Sequence, residues 1–149
     1  MKNERPKVIP TVYLVLIKEN KILLSRRCNT GFQDGQYSFP AGHLGGDEET
    51  VSQAMIREAR EEIGVEIDVA DLELVHVMHR KQMKPTNERR INFFFTTKKW
   101  KGEPKIMEPD KCDDLQWFEL DNLPDNTIPY VRQAISCFRK NVKYSEYGF

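Results

Sequence analysis

The sequence predicts an α+β layered fold with a mixed β-sheet. Apolar, β-branched runs of strand length fall both before and after one strongly helical segment in the middle of the chain. A second amphipathic helix follows the last strand signal. No repeat, low-complexity tract or linker interrupts the pattern, and 149 residues suit one domain with a proper core. The expected organisation is therefore a single domain over residues 1–149, ordered strands, helix, strands, helix.

TVYLVLIK (11–18) is apolar at nearly every position, so it reads as a strand buried on both faces. Glu19 and Asn20 turn the chain, and KILLSRR (21–27) is its expected hairpin partner. Residues 28–39 hold Asn, Gly and Asp and form loop, which Pro40, Gly42, Gly45 and Gly46 extend. The central helix follows. Asp47 or Thr50 is placed to cap it, and acids in its first turn suit the helix dipole. Val51, Ala54, Met55, Ala59 and Ile63 make one apolar face, and Gly64 ends the helix. Strand signals return at 72–80, 91–100 and 115–120. Asp121, Asn122 and Pro124 break the last of these. Residues 131–141 are the final helix, and KYSEYGF is a frayed or packed tail.

Lys+Arg and Asp+Glu number 23 each, so the net charge is zero. That argues against an extended nucleic-acid surface, which shows as a basic excess. It leaves room for a small anionic ligand in a locally basic pocket. No apolar run approaches the roughly 20 residues that span a bilayer, and the start, MKNERPKVIP, lacks the apolar stretch of a signal peptide. Cys28, Cys112 and Cys137 are odd in number and far apart, and fit neither a disulfide framework nor a zinc site. The expectation is a cytoplasmic, reduced protein with no membrane partner.

Glu58, Glu61 and Glu62 fall on one side of the central helix. Like charges at that spacing repel by a few tenths of a kcal/mol per pair. One reading is a solvated acidic face balanced by Arg57 and Arg60. The other is a divalent-metal site, in which a bound cation turns the repulsion into attraction. The preceding glycines add to the second reading, because they let backbone approach a phosphate or offer a carbonyl to a metal.

Residues 57–65, REAREEIGV, resemble the second half of the Nudix box, Arg-Glu-apolar-x-Glu-Glu-x-Gly-apolar, at every position. Glu49 lies eight before Arg57, as the signature asks. Its first glycine is displaced: counting back reaches His43, with Gly42 one place earlier, so the loop carries an extra residue. Either Glu49 or Glu48 takes the box role. Glu49 is preferred, since a loop absorbs an insertion better than a helix. The stretch from Ser25 to His43 looks like the usual approach to the box, and LQWFELDNLP resembles a segment near the end of these domains.

The resemblance implies an α/β/α sandwich with a mixed central sheet. It implies Mg²⁺-dependent hydrolysis (Mn²⁺ substituting) of a nucleoside diphosphate linked to another group. The substrate leans to a (d)NTP, an oxidised one included, with nucleotide sugar or ADP-ribose as alternatives. Glu58, Glu61 and Glu62 would hold the metal with a carbonyl near Ala41 or Gly42. Glu61 or Glu62 would also orient water, and Arg57 would position Glu49 by a charge-assisted hydrogen bond. A general base is sought among Glu108, Asp110, Asp113 and Asp114. Phosphate contacts fall to Arg26 or Arg27, only one of which faces the cleft if the strand alternates. His43 is a further substrate candidate, and Trp117, Tyr37 or Phe32 are candidates to stack on a base. His76 and His79 are assigned no chemistry. Relatives often form homodimers. A non-catalytic nucleotide-binding module is the competing class, but such a module usually loses metal glutamates and this chain keeps all three. Messenger RNA decapping fits poorly with the missing basic excess.

Overall fold

The computed structural model describes residues 3–82 and 86–149. Its strands are β1 (Ile9–Val15), β2 (Ile17–Lys18), β3 (Lys21–Arg27), β4 (Tyr37–Ser38), β5 (Ala41–His43), β6 (Leu72–Lys81), β7 (Arg89–Thr97), β8 (Cys112–Glu119) and β9 (Tyr144–Tyr147). The helices are α1 (Val51–Ile63) and α2 (Pro129–Arg139). The larger sheet runs β5-β1-β7-β6-β9, and the smaller one is built on β3, which pairs with β2, β4 and β8. The larger sheet is mixed: β1 lies parallel to β7 and β6 parallel to β9, while β1–β5 and β6–β7 are antiparallel.

Strand β1 divides the core. Val12 and Leu14 pack with Ala54, Met55, Ala59 and Ile63 of α1. Tyr13 and Val15 face the other way, onto Phe94 and the Val131, Ala134 and Ile135 face of α2. A helix on each side of one sheet is the α/β/α arrangement, and it explains why 11–16 is apolar at nearly every position. Each fully buried Leu or Met side chain here contributes roughly 1.5–3 kcal/mol of transfer free energy.

The expected single strand 11–18 is two. At Leu16 the chain leaves the larger sheet, and only Ile17 and Lys18 pair back onto Ile22 and Lys21. The hairpin with 21–27 is thus two residues deep, because β1 is committed to β5 and β7. Glu19 and Asn20 both adopt positive φ, as a tight turn between twisted strands requires. The tail is packed as a strand: β9 pairs Tyr144 through Tyr147 with Val77 through Arg80. His76 anchors that region. Its Nδ1 donates to the Val142 carbonyl (2.8 Å), so Nε2 accepts from Ser145 Oγ (2.7 Å). Burial lowers the pKa of this ring and keeps it neutral.

Thr50 caps α1, with Gln53 completing a capping box, and Gly64 ends it in the left-handed conformation at φ 71°. The helix begins at Val51, so the acids 47–49 precede its first turn, which holds none. Helix α2 begins two residues earlier than the periodicity suggested, because Pro129 suits a first helical position.

Candidate functional site

Helix α1 lays its acidic side along β5. The contact is close: a Cβ at Gly42 would lie 2.1 Å from Glu58 Cδ, so any larger residue there would displace the Glu58 carboxyl. The Ala41 N–H donates to Glu62 Oε2 at 3.0 Å. Arg57 grips both sides of the loop. Its Nε and Nη2 clamp Glu49 at 2.8 and 2.9 Å, and Nη2 also donates to the His43 carbonyl at 2.8 Å. Its Nη1 donates to Glu58 (2.9 Å) and Glu61 (3.1 Å). Glu49 also accepts from the Gly45 N–H at 2.7 Å. These bonds fall on Glu49, while Glu48 is exposed in the loop.

The electrostatics follow. The Arg57 guanidinium and the Gly45 N–H hold the Glu49 carboxyl down at about 2. Burial pushes Glu58 up, with Arg57 opposing. Glu62 is pushed up to about 8, chiefly by burial, with Glu58 and Glu108 adding and the Ala41 N–H opposing. Glu62 is therefore a half-buried carboxyl with one hydrogen bond and no cationic side chain bonded to it among the described residues.

A cleft of about 730 Å³ opens over these groups and is lined by Gly42, His43, Arg57, Glu58, Glu61 and Glu62. Among the described residues no three Asp, Glu, His or Cys side chains converge closely enough to hold one ion. Arg57 accounts for part of this, since its Nη1 already bridges Glu58 and Glu61. The donor chemistry nonetheless fits a hard divalent cation. The groups are carboxylate oxygens beside a glycine backbone, and among the described residues no cationic side chain bonds Glu62, Arg27 acting on it only through space. Mg²⁺ or Mn²⁺ suits such a set, and a soft metal does not.

Of the two arginines on β3, Arg27 lines the cleft. Its Nε donates to the Phe32 carbonyl (2.7 Å) and Nη2 to Thr30 Oγ1 (3.1 Å). Arg26 points away and binds Asp113 at 2.7 Å, as strand alternation requires. Trp117 also lies elsewhere. It stacks with Trp100 at 6.3 Å against the cluster beneath α1. Tyr37 is committed to the core and bonds Asp114, whereas Phe32 lines the cleft. Among the four acids considered for the base, Glu108 lines the cleft beside Lys111, 3.6 Å away. Asp113 and Asp114 are held by Arg26 and by Tyr37, and Asp110 is not in the lining.

The sequence reading missed Arg80, Arg90 and Tyr130, all in the cleft wall. The available signal was Arg80 itself, two residues from Met78 on a strand and so on the same buried face.

A fold with a helix on each face of a mixed sheet, whose cleft sets carboxylates beside a glycine loop and faces them with arginines, defines a site for phosphorylated ligands. The NUDIX domain family model matches residues 7–136. The chain belongs to the Nudix family. It is 33% identical over 122 residues to the NAD-capped RNA hydrolase NudC of Pseudomonas aeruginosa, a match covering 82% of this chain and 40% of that protein. It is 29% identical over 131 residues to the NAD-capped RNA hydrolase NudC of Stutzerimonas stutzeri, covering 88% and 42%. The chain thus spans about 40% of the length of these relatives. Among solved structures, the MutT NUDIX hydrolase from Burkholderia pseudomallei superposes with a TM-score of 0.76 at 27% identity, covering 89% of this chain and 98% of that one. A bifunctional NMN adenylyltransferase/ADP ribose pyrophosphatase from Francisella tularensis shares the fold, with a TM-score of 0.72 at 21% identity over 93% of this chain and 42% of that one.

Proposed function

We propose that this protein hydrolyses the P–O–P linkage of a nucleoside diphosphate joined to another group, and that its substrate is a (d)NTP cleaved to the monophosphate and pyrophosphate. The observation that carries the reading is Glu62: a half-buried carboxyl with no cationic side chain bonded to it among the described residues, pushed up to about 8 at the wall of a cleft shared with Glu58 and Glu61. Such a group is costly unless a cation joins it. Glu58, Glu61, Glu62 and the Gly42 carbonyl would hold Mg²⁺, with Mn²⁺ as a substitute. When bound, the cation neutralises charge on phosphoryl oxygens and lowers the pKa of water.

The chain's own residues do the rest. Arg57 ties α1 to the loop through Glu49 and the His43 carbonyl, so the glutamates and Gly42 keep one geometry. Arg27 offers its guanidinium to phosphate oxygens. Glu108, the cleft carboxylate outside α1, accepts the proton of the attacking water. A (d)NTP suits the cationic wall opposite the glutamates. A second reading, a dinucleotide such as an NAD-type cap, is favoured by the similarity to the NudC relatives.

A substrate panel with Mg²⁺ and chromatographic resolution of products tests both. Monophosphate plus pyrophosphate from a triphosphate supports the first reading. Two monophosphates from NAD, with triphosphates left intact, support the second. Binding without hydrolysis of any substrate would return the non-catalytic module.

A further inference from the structure

Arg80 is the most deeply buried cation in the cleft wall, only 3% exposed. Its guanidinium carbon lies 4.1 Å from the Tyr130 ring centroid and 5.9 Å from that of Phe32. Among the described residues no carboxylate bonds to it, and its Nε has no partner. Aromatic faces attract a cation but do not neutralise it. A buried, unpaired charge persists where a ligand supplies the countercharge.

Its neighbour strengthens the case. Arg80 and Arg90 are directly opposed in the β6–β7 register. Like charges in that position destabilise a sheet, so the arrangement needs a compensating gain. Arg90 is held in place by Thr11 Oγ1 (3.2 Å), Glu88 (2.9 Å) and His43 Nε2 (2.6 Å). Burial and the arginine itself keep His43 neutral, so its ring accepts that bond. Arg90 Nε is also unpartnered among the described residues. His43 joins the two walls, because its carbonyl accepts from Arg57. The cleft thus holds the carboxylates of α1 and, beyond His43, the arginines of β6 and β7.

We propose that Arg80, with Arg90 beside it, is a receptor for a phosphate group on the part of the substrate remote from the acidic helix, and selects substrates that end in a free phosphate over those capped by a neutral sugar. The inference rests on the P–O–P hydrolase reading and sharpens its substrate class. Planar guanidinia match phosphate oxygens in pairs, and their burial excludes competing water.

The first test is titration of the wild-type protein with inorganic pyrophosphate in EDTA, followed by calorimetry. We expect one-to-one binding that weakens at least tenfold in Arg80→Gln or Arg90→Gln and recovers in part in Arg80→Lys. No binding by the folded wild type overturns the receptor outright, whatever the variants do. The second test compares kcat/KM for a nucleoside triphosphate and a nucleoside diphosphate hexose with Mg²⁺. Arg80→Gln should raise KM for the triphosphate about tenfold and leave the sugar substrate unchanged. Equal losses on both substrates make Arg80 structural and overturn the proposal. Should the wild type cleave neither substrate, the hydrolase reading fails while the pyrophosphate titration still decides the receptor.

Discussion

A side chain at position 42 would begin 2.1 Å from the Glu58 carboxyl carbon. One methyl group is therefore enough to push Glu58 off the loop. Gly42→Ala should lower kcat by about tenfold or more, since small misplacements of a catalytic group are costly. Overpacking should also cost about 1–3 kcal/mol of stability. Steady-state kinetics and urea unfolding check the two effects. An Ala variant with wild-type kcat would show that Glu58 is free to move without consequence.

Arg57 holds Glu49 through two parallel bonds while also reaching the His43 carbonyl, Glu58 and Glu61. Lysine keeps the charge but cannot make that fork. Arg57→Lys should therefore lower kcat by about ten- to a hundredfold while weakening Mg²⁺ binding less, read from Mg²⁺ titrations of activity. Glu49→Gln should resemble it, and Glu48→Gln should not.

The chelated protein should lose stability as pH rises. Glu62 has its folded pKa raised to about 8 from an ordinary 4.5. Between those values the folded state binds the extra proton, so stability falls as pH climbs through the window and levels off above it. Glu49 is the reverse case. Lowered to about 2, it contributes stability that is complete above 4.5 and is lost as pH falls toward 2. Urea midpoints in EDTA from pH 3 to 9 would trace both limbs. Mg²⁺ should flatten the upper limb, and Glu62→Gln should abolish it. An upper limb identical in wild type and Glu62→Gln would mean that another group titrates.

Glu108 and Asp113 separate the base from its neighbours. Glu108 faces the cleft, and Asp113 is paired with Arg26. Glu108→Gln should cut kcat by roughly a hundredfold or more with little change in KM. Asp113→Asn, on an exposed pair, should stay within about twofold of wild type, as surface pairs contribute little. The opposite ranking would move the base to the β8 end of the loop.

Much of this was legible in the chain because local rules set it. The period of α1, its Gly64 end and the apolar 11–18 run read directly from residue spacing, while its cap narrows to Asp47 or Thr50. The glycine loop and acidic side were visible for the same reason. What stayed hidden depends on pairing between distant segments. Nothing near Leu16 says that the chain changes sheets there, because that follows from β7 docking on β1. Nothing in KYSEYGF says that it will find β6. Arg80 read as an ordinary strand end until Tyr130, fifty positions on, came to lie under it. Arg26 and Arg27 were indistinguishable until β3 fixed which one turned inward.

The parallel pairing of β1 with β7 has a consequence for how the protein is born. Ile9 must wait for Arg90, and Val77 for Tyr144. On a ribosome adding about 5–20 residues per second, the first wait lasts roughly 4–16 s. During it Val12, Leu14 and Val15 have no strand on the β7 side. Through that interval the nascent chain carries one edge of an apolar strand without its parallel partner. Slowing the ribosome just before β7 should lower soluble yield more than slowing it after β9, an order dictated by topology rather than by codons themselves.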